Sequence, residues 1–286
     1  MTTIPFTKMV GTGNDFIVVD ARQNGLRTLS RQWPSISQSL CDRHHGIGSD
    51  GILLLEPSVK AHAKMRVFNA DGSEAQMCGN GARCVALLLA NGSAKPVTLE
   101  TLAGVLSAEV HGNRVAARMM DPTSLQLDKS VTVKGKTLRY GFLNTGVPHV
   151  VTAVTDVQSV DVDGLGRALR YHKAFAPHGT NVNFIQRAGA HALRIRTYER
   201  GVEGETLACG TGMVAAAIVS ALSGTRKAHA TIRARMTLEP RSGDRVVVSF
   251  RATPHRSSWK IDNVLMEGSA QRVFDGRVEW SPRRSS

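Results

Sequence analysis

Two stretches of this chain place a thiol where an apolar helix is expected to begin. Cys209-Gly210-Thr211-Gly212 runs into Met213-Val214-Ala215-Ala216-Ala217-Ile218-Val219, and Cys78-Gly79-Asn80-Gly81 runs into Ala82-Arg83-Cys84-Val85-Ala86-Leu87-Leu88-Leu89. The first N–H groups of a helix have no internal partner and carry partial positive charge. Glycines there let an anion approach those groups closely. A thiol at such a place is expected to have its pKa, about 8.5 when free, lowered by a unit or more. The same N–H groups can hold a substrate carboxylate. Two such starts in two facing repeats are expected to form one composite site in the cleft between them. A thiolate on one side of a carbon and a thiol on the other make a base and an acid. Such a pair inverts a stereocentre without a cofactor, the carboxylate donors stabilising the enolate-like carbanion. The two thiols are expected to titrate as a coupled pair.

A lone cysteine at a helix start is more often a small buried residue. The repetition of Cys-Gly-X-Gly at matching places is what favours chemistry at Cys78 and Cys209. Cys84 lies about 120° around the helix from Cys78 and reads as core, as does Cys41. Neither motif cysteine has a Cys-X-X-Cys partner, so zinc and redox readings are weaker. His44-His45 lack a third ligand at metal spacing, and no metal is expected. Gly11-Thr12-Gly13 and Gly46-Ile47-Gly48 lack the full dinucleotide or P-loop pattern. Polar residues cluster near these sites: Asn14, Asn69 and Asn181 stand at strand ends or turns, where turn formation is the ordinary role of asparagine. Glu199-Arg200 ends the strand leading to Cys209, as a surface ion pair or as part of a site. His149, after Pro148, either caps a turn or tunes a thiol.

The elements that must position these residues recur in order. Strands at Phe6–Val10 and Asp15–Asp20, a helix from Pro34 to about Arg43, and strands at Ile52–Leu55 and Lys64–Phe68 lead to the first thiol helix. Strands near Val97–Thr101, Val105–Val110 and Arg114–Met119 follow. The second half reads as a strand at Leu138–Leu143, a turn at Gly146-Val147-Pro148-His149, a short helix at Leu165–Leu169, and strands at Val182–Gln186 and Leu193–Tyr198. The second thiol helix comes next, ending at Gly224, and strands fill the remainder. Leu99-Glu100 with Gly104 recurs as Leu238-Glu239 with Gly243, which marks an internal duplication. Both thiol helices are apolar on nearly every side and must be buried all round. The expected fold is therefore α/β (α+β). It comprises two pseudo-symmetric domains, each a mostly antiparallel β-sheet wrapped around a central buried α-helix. The expected division is 1–125 for the repeat carrying Cys78 and 126–265 for the repeat carrying Cys209. Residues 266–280 form a C-terminal strand that can return to the first repeat, and 281–286 a tail. The boundary is placed between about Asp121 and Gly135, where Pro122-Thr123-Ser124 breaks the strand pattern.

Composition narrows the class. The 286 residues carry a net charge of +13. Nine basic residues fall between Arg226 and Lys260 against Glu239 and Asp244. A nucleic-acid surface is one reading. A solvated face of strands is the stronger one, because no recognition motif accompanies the charge and aromatics for base stacking are scarce. The start lacks a basic region followed by an apolar one, and no apolar run reaches the roughly 18 residues of a membrane span. The four cysteines are too few and too spread for a disulfide scaffold. Reduced thiols in a cytoplasm and no membrane association are expected.

Several stretches together resemble the diaminopimelate epimerases, a cofactor-independent amino-acid epimerase family. They are Lys8 through Phe16, Arg43 through Gly51, Phe68 through Cys84, Gly179-Thr180-Asn181-Val182, and Tyr198 through Gly212. The resemblance implies two pseudo-symmetric α/β domains and interconversion of LL- and meso-2,6-diaminopimelate, a step toward lysine and cell-wall precursors. It implies no cofactor, Cys78 and Cys209 as the acid/base pair, and Gly79-Asn80 and Gly210-Thr211 as the grip on the carboxylate at the reacting carbon. It further implies that Asn14, Asn69, Asn181 and Arg200 bind the substrate, mainly its distal amino-acid end. Glu199 and His149 match thiol-modulating positions, Glu199 counting also as a substrate-site residue. Members are commonly homodimers, and Phe274 matches an aromatic at their contact. Where many members have Gly-Asn-Pro-His, this chain has Gly146-Val147-Pro148-His149. Its connection from Arg200 to Cys209 is one residue longer than in many members, and Gly51 stands where some carry a glutamine. The nearest rival is a proline-racemase-like enzyme. That group carries Cys-Gly-His-Gly where this chain has Cys78-Gly79-Asn80-Gly81. A basic nucleic-acid-binding protein is the rival from another class.

Overall fold

A helix that is apolar on every side has to be covered, and each half of the chain packs its own strands against one. The computed structural model describes residues 2–22, 26–93, 95–225, 230–256 and 258–282. Arg226 and Lys227 of the basic run, and residues 283–286 of the expected tail, lie outside the described residues. The chain divides into two units, Met1–Ala117 with Gly268–Ser286, and Arg118–Glu267. The class is mixed α/β, dominated by strands, with four α-helices among the described residues.

The first unit runs β1 (Thr2–Gly11), β2 (Asn14–Asp20), α1 (Trp33–Cys41), β3 (Gly51–Glu56), β4 (Ala63–Asn69), β5 (Glu74–Ala75), α2 (Gly79–Ala90), β6 (Val97–Thr101), β7 (Gly104–His111) and β8 (Arg114–Arg118). The second runs β9 (Thr123–Val133), β10 (Lys136–Asn144), β11 (Pro148–Ala153), α3 (Val162–Arg170), β12 (Asn181–Gly189), β13 (Ala192–Glu199), β14 (Gly204–Thr206), α4 (Gly210–Leu222), β15 (Ile232–Glu239), β16 (Val246–His255) and β17 (Ser258–Ser269). The last strand, β18 (Gln271–Trp280), belongs to the first unit and pairs antiparallel with β1.

The pairings repeat. In the first unit β1 pairs antiparallel with β2, β2 parallel with β3, and β3 antiparallel with β4. Next, β4 pairs parallel with β6, and β6 and β7 continue antiparallel. In the second unit β10, β11, β12, β13, β15 and β16 follow the same sequence of directions. The short β5 and β14 pair with β4 and β13. The outer strand on β10 is β9, as the outer strand on β1 is β18.

Burial on two sides explains why β3 reads as one continuous apolar run. Ile52 and Leu54 join Trp33, Ile36 and Leu40 of α1 in one cluster, while Leu53 and Leu55 join Val85 and Ala86 of α2 in another. In the second unit Val182, Phe184 and Tyr198 pack with Val162 and Leu169 of α3. Residues 212–220 of α4 are buried without interruption. α2 is less enclosed, since Leu87, Leu88 and Leu89 are only half-buried. α2 ends at Asn91 in the left-handed conformation, a common stop.

Three local expectations change. Residues 123–133, taken as the break between repeats, are a strand. Left-handed backbone at Ser124 and Asp128 interrupts its alternation, yet Val131 and Val133 face inward. Pro148 and His149, taken as a turn, open β11, because a proline is tolerated at the first position of a strand. The second thiol helix ends at Leu222, with Ser223 as its cap, before Gly224.

Candidate active site

Each thiol stands immediately before its helix in extended backbone, as the N-cap of α2 or α4. Cys78 Sγ accepts from Gly81 N–H at 3.4 Å. The residues around it in the first unit form a chain of side-chain bonds. Asn80 Nδ2 donates to Asn14 Oδ1 at 2.5 Å, and Asn14 Nδ2 donates to Asp50 Oδ2 at 2.9 Å. Arg83, wholly buried in α2, donates through Nη2 to Asn80 Oδ1 and to Thr12 Oγ1, both at 2.6 Å. Arg43 bridges Asp50 and Asp15, and Asp15 also accepts from Lys8. Asn14 and Asn80 are thus oriented from behind by charged groups. Asn69, at the end of β4, is exposed and donates to Ser73 Oγ at 2.9 Å.

The second unit surrounds its thiol differently. Cys209 is 6% exposed. Burial, with the Glu199 carboxylate beside it, pushes its pKa well above the ordinary thiol range, against weaker opposing pulls from Thr211 and the Gly212 N–H. The expected lowering by the helix start does not occur here. Desolvation of a thiolate outweighs the pull of the helix end, including that of the Gly212 N–H. Cys209 therefore rests as a thiol beside the Glu199 carboxylate, with its Sγ 3.6 Å from Thr211 Oγ1. Glu199 is itself held above the usual carboxylate range by burial, partly offset by the hydroxyl of Thr206, which donates to Oε2 at 2.9 Å, and by Cys209. The result is a buried thiol with a carboxylate of raised proton affinity beside it. By strand register the place of Glu199, after Tyr198 in β13, is that of Asn69, after Phe68 in β4.

Asn181 spans the end of β11 and the chain beyond β13. Its Nδ2 donates to Pro148 O at 3.0 Å, and its Oδ1 accepts from Arg200 N–H at 2.8 Å. The Arg200 guanidinium reaches His178 O at 3.3 Å. Thr145 Oγ1 donates to Thr211 O at 3.3 Å, tying the β10–β11 turn to the first turn of α4. His149 is fully buried, and burial, then the charge of Arg200, hold its pKa down to about 3. Its Nδ1 meets Asn183 Nδ2 at 3.1 Å. Phe274 is 48% exposed on β18, with its ring edge-on to Phe6 at 5.8 Å.

The second glycine of each motif has a packing reason as well as an electrostatic one. A Cβ at Gly81 would lie 2.7 Å from Leu53 Cδ2, and one at Gly212 would lie 2.3 Å from Asn183 Oδ1. Gly210 differs, since its added Cβ would meet only the flexible end of Met266, at 3.2 Å. Cys84 and Cys41 are buried; the Cys84 thiol is pushed up to about 12 by burial.

Several participants escape a reading of the sequence alone. Arg83 was legible in one respect, as the single charge within an apolar helix. Asp50, Asn183 and Thr197 carried no local signal.

Comparison with known proteins identifies the family and the fold. The family model for diaminopimelate epimerase matches residues 6–126 and 141–273. A diaminopimelate epimerase of Aquifex aeolicus is 41% identical over 282 residues, covering 96% of this chain and 97% of the relative. One from Archaeoglobus fulgidus is 38% identical over 295 residues, covering 98% of each. Among solved structures, a phenazine biosynthesis protein of the PhzF family from Bacillus anthracis superposes with a TM-score of 0.70 at 16% identity, covering 98% of this chain and 100% of the other. A hydroxyproline epimerase from Agrobacterium vitis gives 0.67 at 18%, covering 97% and 91%. At those identities the structures show a shared fold. The sequence relatives match across both thiol motifs and nearly the full length, and by them this chain belongs to the diaminopimelate epimerase family.

Proposed function

We propose that this protein interconverts LL- and meso-2,6-diaminopimelate by a two-base mechanism that uses no cofactor. Cys78 and Cys209 act on opposite sides of one α-carbon. The observation that carries the reading is the buried Cys209 thiol beside the Glu199 carboxylate, the proton affinity at the site raised through burial and charge. A thiol resting protonated against a carboxylate of raised proton affinity can give its proton to a carbanion and can also be deprotonated in its turn. In the direction where Cys209 is the acid, Cys78 is the base. It removes the α-proton, the electron pair is delocalised into the carboxylate as an enolate-like anion, and the Cys209 S–H protonates the other side. In the reverse direction the roles exchange: Cys209, as a thiolate with its proton passed to Glu199, removes the α-proton, and the Cys78 S–H protonates the other side. The N–H groups at Gly79-Asn80 and Gly210-Thr211 hold the carboxylate at the reacting carbon, where their stabilisation of developing charge counts most.

The distal amino-acid end is assigned to Asn14, Asn69, Asn181 and Arg200. Support comes from the way Asn14 is oriented through Asn80 and Arg83, and from Asn181 fixing the backbone at Arg200. Arg200 suits a bidentate grip on the distal carboxylate. The Val147 side chain offers no polar group, and Asn144 and Thr145 are the polar neighbours in its turn. The two repeats 1–125 and 126–265 are taken as the functional halves, one thiol each, with 266–280 returning to the first. We further propose a homodimer with Phe274 at its contact and a cytoplasmic location; among the described residues no helix is long and apolar enough to cross a membrane. The test is incubation with LL-diaminopimelate in deuterium oxide without added cofactor. Epimerisation with deuterium gained at one α-carbon is expected, with strong loss in Cys209→Ala. Wild-type protein that neither epimerises nor exchanges this substrate ends the proposal.

A further inference from the structure

The duplication supplies an internal control that isolates one polar cluster in the second unit. On β3 of the first unit, Leu53 faces α2, contacts the site of Gly81 and pairs across to Val67 of β4. On β12, Asn183 stands in the same register, contacts the site of Gly212 and pairs across to Thr197 of β13. Phe16 pairs with the first residue of β3, and His149 pairs with the first residue of β12. Phe16, Leu53 and Val67 share one apolar core cluster. The equivalent trio His149, Asn183 and Thr197 is polar, and all three are buried. The first unit shows that apolar residues at these three places satisfy the fold. The polar trio therefore needs a reason other than packing.

Its hydrogen bonds specify one. Asn183 Nδ2 lies 2.9 Å from Val150 O, a carbonyl that can only accept, so this atom of the carboxamide is the NH2 group. Thr197 Oγ1 donates to Asn183 Oδ1 at 3.0 Å, which agrees with that orientation. The second N–H of the same NH2 group points at His149 Nδ1, 3.1 Å away. A nitrogen that receives a hydrogen bond carries no proton, so the imidazole proton sits on Nε2. That Nε2–H is buried and meets no protein acceptor among the described residues. The nearby charge acting on the ring is the Arg200 guanidinium, which opposes a second proton.

We propose that Asn183 is a positioning residue: held by Thr197 and Val150, it locks His149 in the neutral Nε2–H tautomer, so that His149 serves the reaction as a fixed hydrogen-bond donor and not as a proton acceptor. The donor is kept for the negative charge that develops in the reaction, and proton exchange at Cys209 is left to Glu199. The kinetic part rests on the epimerase reading above; the tautomer stands on geometry alone.

The test combines NMR of protein labelled with 15N-histidine and steady-state kinetics. His149 is assigned among the ten histidines by loss of its signals in His149→Gln. Wild-type His149 is expected to show a proton-bearing Nε2 and a bare Nδ1, unchanged from pH 5 to 9. Asn183→Asp replaces the donor by an acceptor and is expected to move the proton to Nδ1 or add one there. The expected kinetic effect is a fall in kcat of tenfold or more with KM within about threefold. Asn183→Leu restores the residue type of Leu53, which keeps a folded variant available, and is expected to lose the single tautomer and at least tenfold in kcat. A wild-type His149 that carries its proton on Nδ1, or that titrates between pH 5 and 8, overturns the proposal. So does a folded Asn183→Leu with wild-type tautomer and kcat. Were the wild type inactive on diaminopimelate, the spectra would still decide the tautomer, and only the functional reading would fall.

Discussion

Alanine at each of the two glycines of Cys209-Gly210-Thr211-Gly212 should have opposite consequences, and the structure sets their size. At Gly212 the added Cβ lies 2.3 Å from Asn183 Oδ1 and 3.3 Å from Cys209 Sγ. An ordinary contact needs roughly 1 Å more between Cβ and that oxygen. Asn183 cannot retreat without stretching its bonds to Thr197, Val150 or His149. Overpacking of this kind costs about 1–3 kcal/mol, and each lost hydrogen bond about 0.5–1.5 kcal/mol. Replacing glycine in a helix returns up to about 1 kcal/mol. The net expectation for Gly212→Ala is a loss of about 2–3 kcal/mol, or about 5–10 °C in Tm for a unit of this size. At Gly210 the neighbour is the mobile end of Met266, and Gly210→Ala should change stability by no more than about 1 kcal/mol. Urea and thermal unfolding followed by circular dichroism measure both. Combining Gly212→Ala with Asn183→Ala should cost less than the sum of the two, because the clash is removed with the carboxamide. A Gly212→Ala variant melting within about 1 °C of wild type, or additive losses in the pair, would refute the packing argument.

Other consequences follow from the same contacts. Glu199→Gln keeps a polar group beside Cys209 but cannot accept its proton; kcat should fall by about 10²-fold or more, most strongly in the direction that uses Cys209 as base, which separate assays from LL- and meso-substrate would reveal. His149 has a depressed folded pKa of about 3, so its neutral form stabilises the fold fully above its unfolded value near 6.5. That stability drains away as pH falls, by about 2 kcal/mol between pH 7 and 5. A His149→Phe variant should lose correspondingly less over that interval in urea titrations, and equal losses would count against a buried neutral imidazole. Arg83→Met removes the donor that orients Asn80 and, through it, Asn14. On the proposed roles it should raise KM at least tenfold while changing kcat less, a split that substrate-saturation curves resolve.

What could be read from the sequence was whatever local pattern encodes. Cys-Gly-X-Gly before an apolar run marks a helix start and a thiol together, and hydrophobicity on all sides forces enclosure, so the two thiol helices and their sheets were legible. The chemistry of Cys209 was not. A helix N-terminus argues for a lowered thiol pKa, but the deciding terms are burial and Glu199, which arrives from a different strand. Asn183 and Thr197 were illegible for a related reason. In an alternating strand a polar residue reads as solvent-facing, and only a sheet covered on both sides turns it inward. Residues 123–133 escaped because left-handed positions at Ser124 and Asp128 break the alternation that marks a strand. Arg83 was visible as an oddity, but nothing local says that its partners come from β1–β2 and its own helix turn.

The two units share their strand order, their thiol cap and even an internal ion pair. Arg66 grips Glu74 with two bonds of 2.7 and 2.8 Å, and Arg196 grips Glu205 with two of 2.6 and 2.7 Å. Against that background several departures lie in the surroundings of the thiols. Asn69 gives way to Glu199, and the apolar trio beneath α2 gives way to His149, Asn183 and Thr197 beneath α4. The proposed two-base reaction gives a reason for departures there. Two thiols in identical settings would have identical proton affinities, and a pair starting as one acid and one base would have to break that tie at random. A carboxylate that holds the proton on Cys209 breaks it structurally. The same carboxylate can accept that proton when the reaction runs backward, so the asymmetry does not lock the enzyme into one direction. A duplicated scaffold can thus keep its packing constant and place the difference in a few side chains, because the packing positions and the proton-holding positions are separate residues.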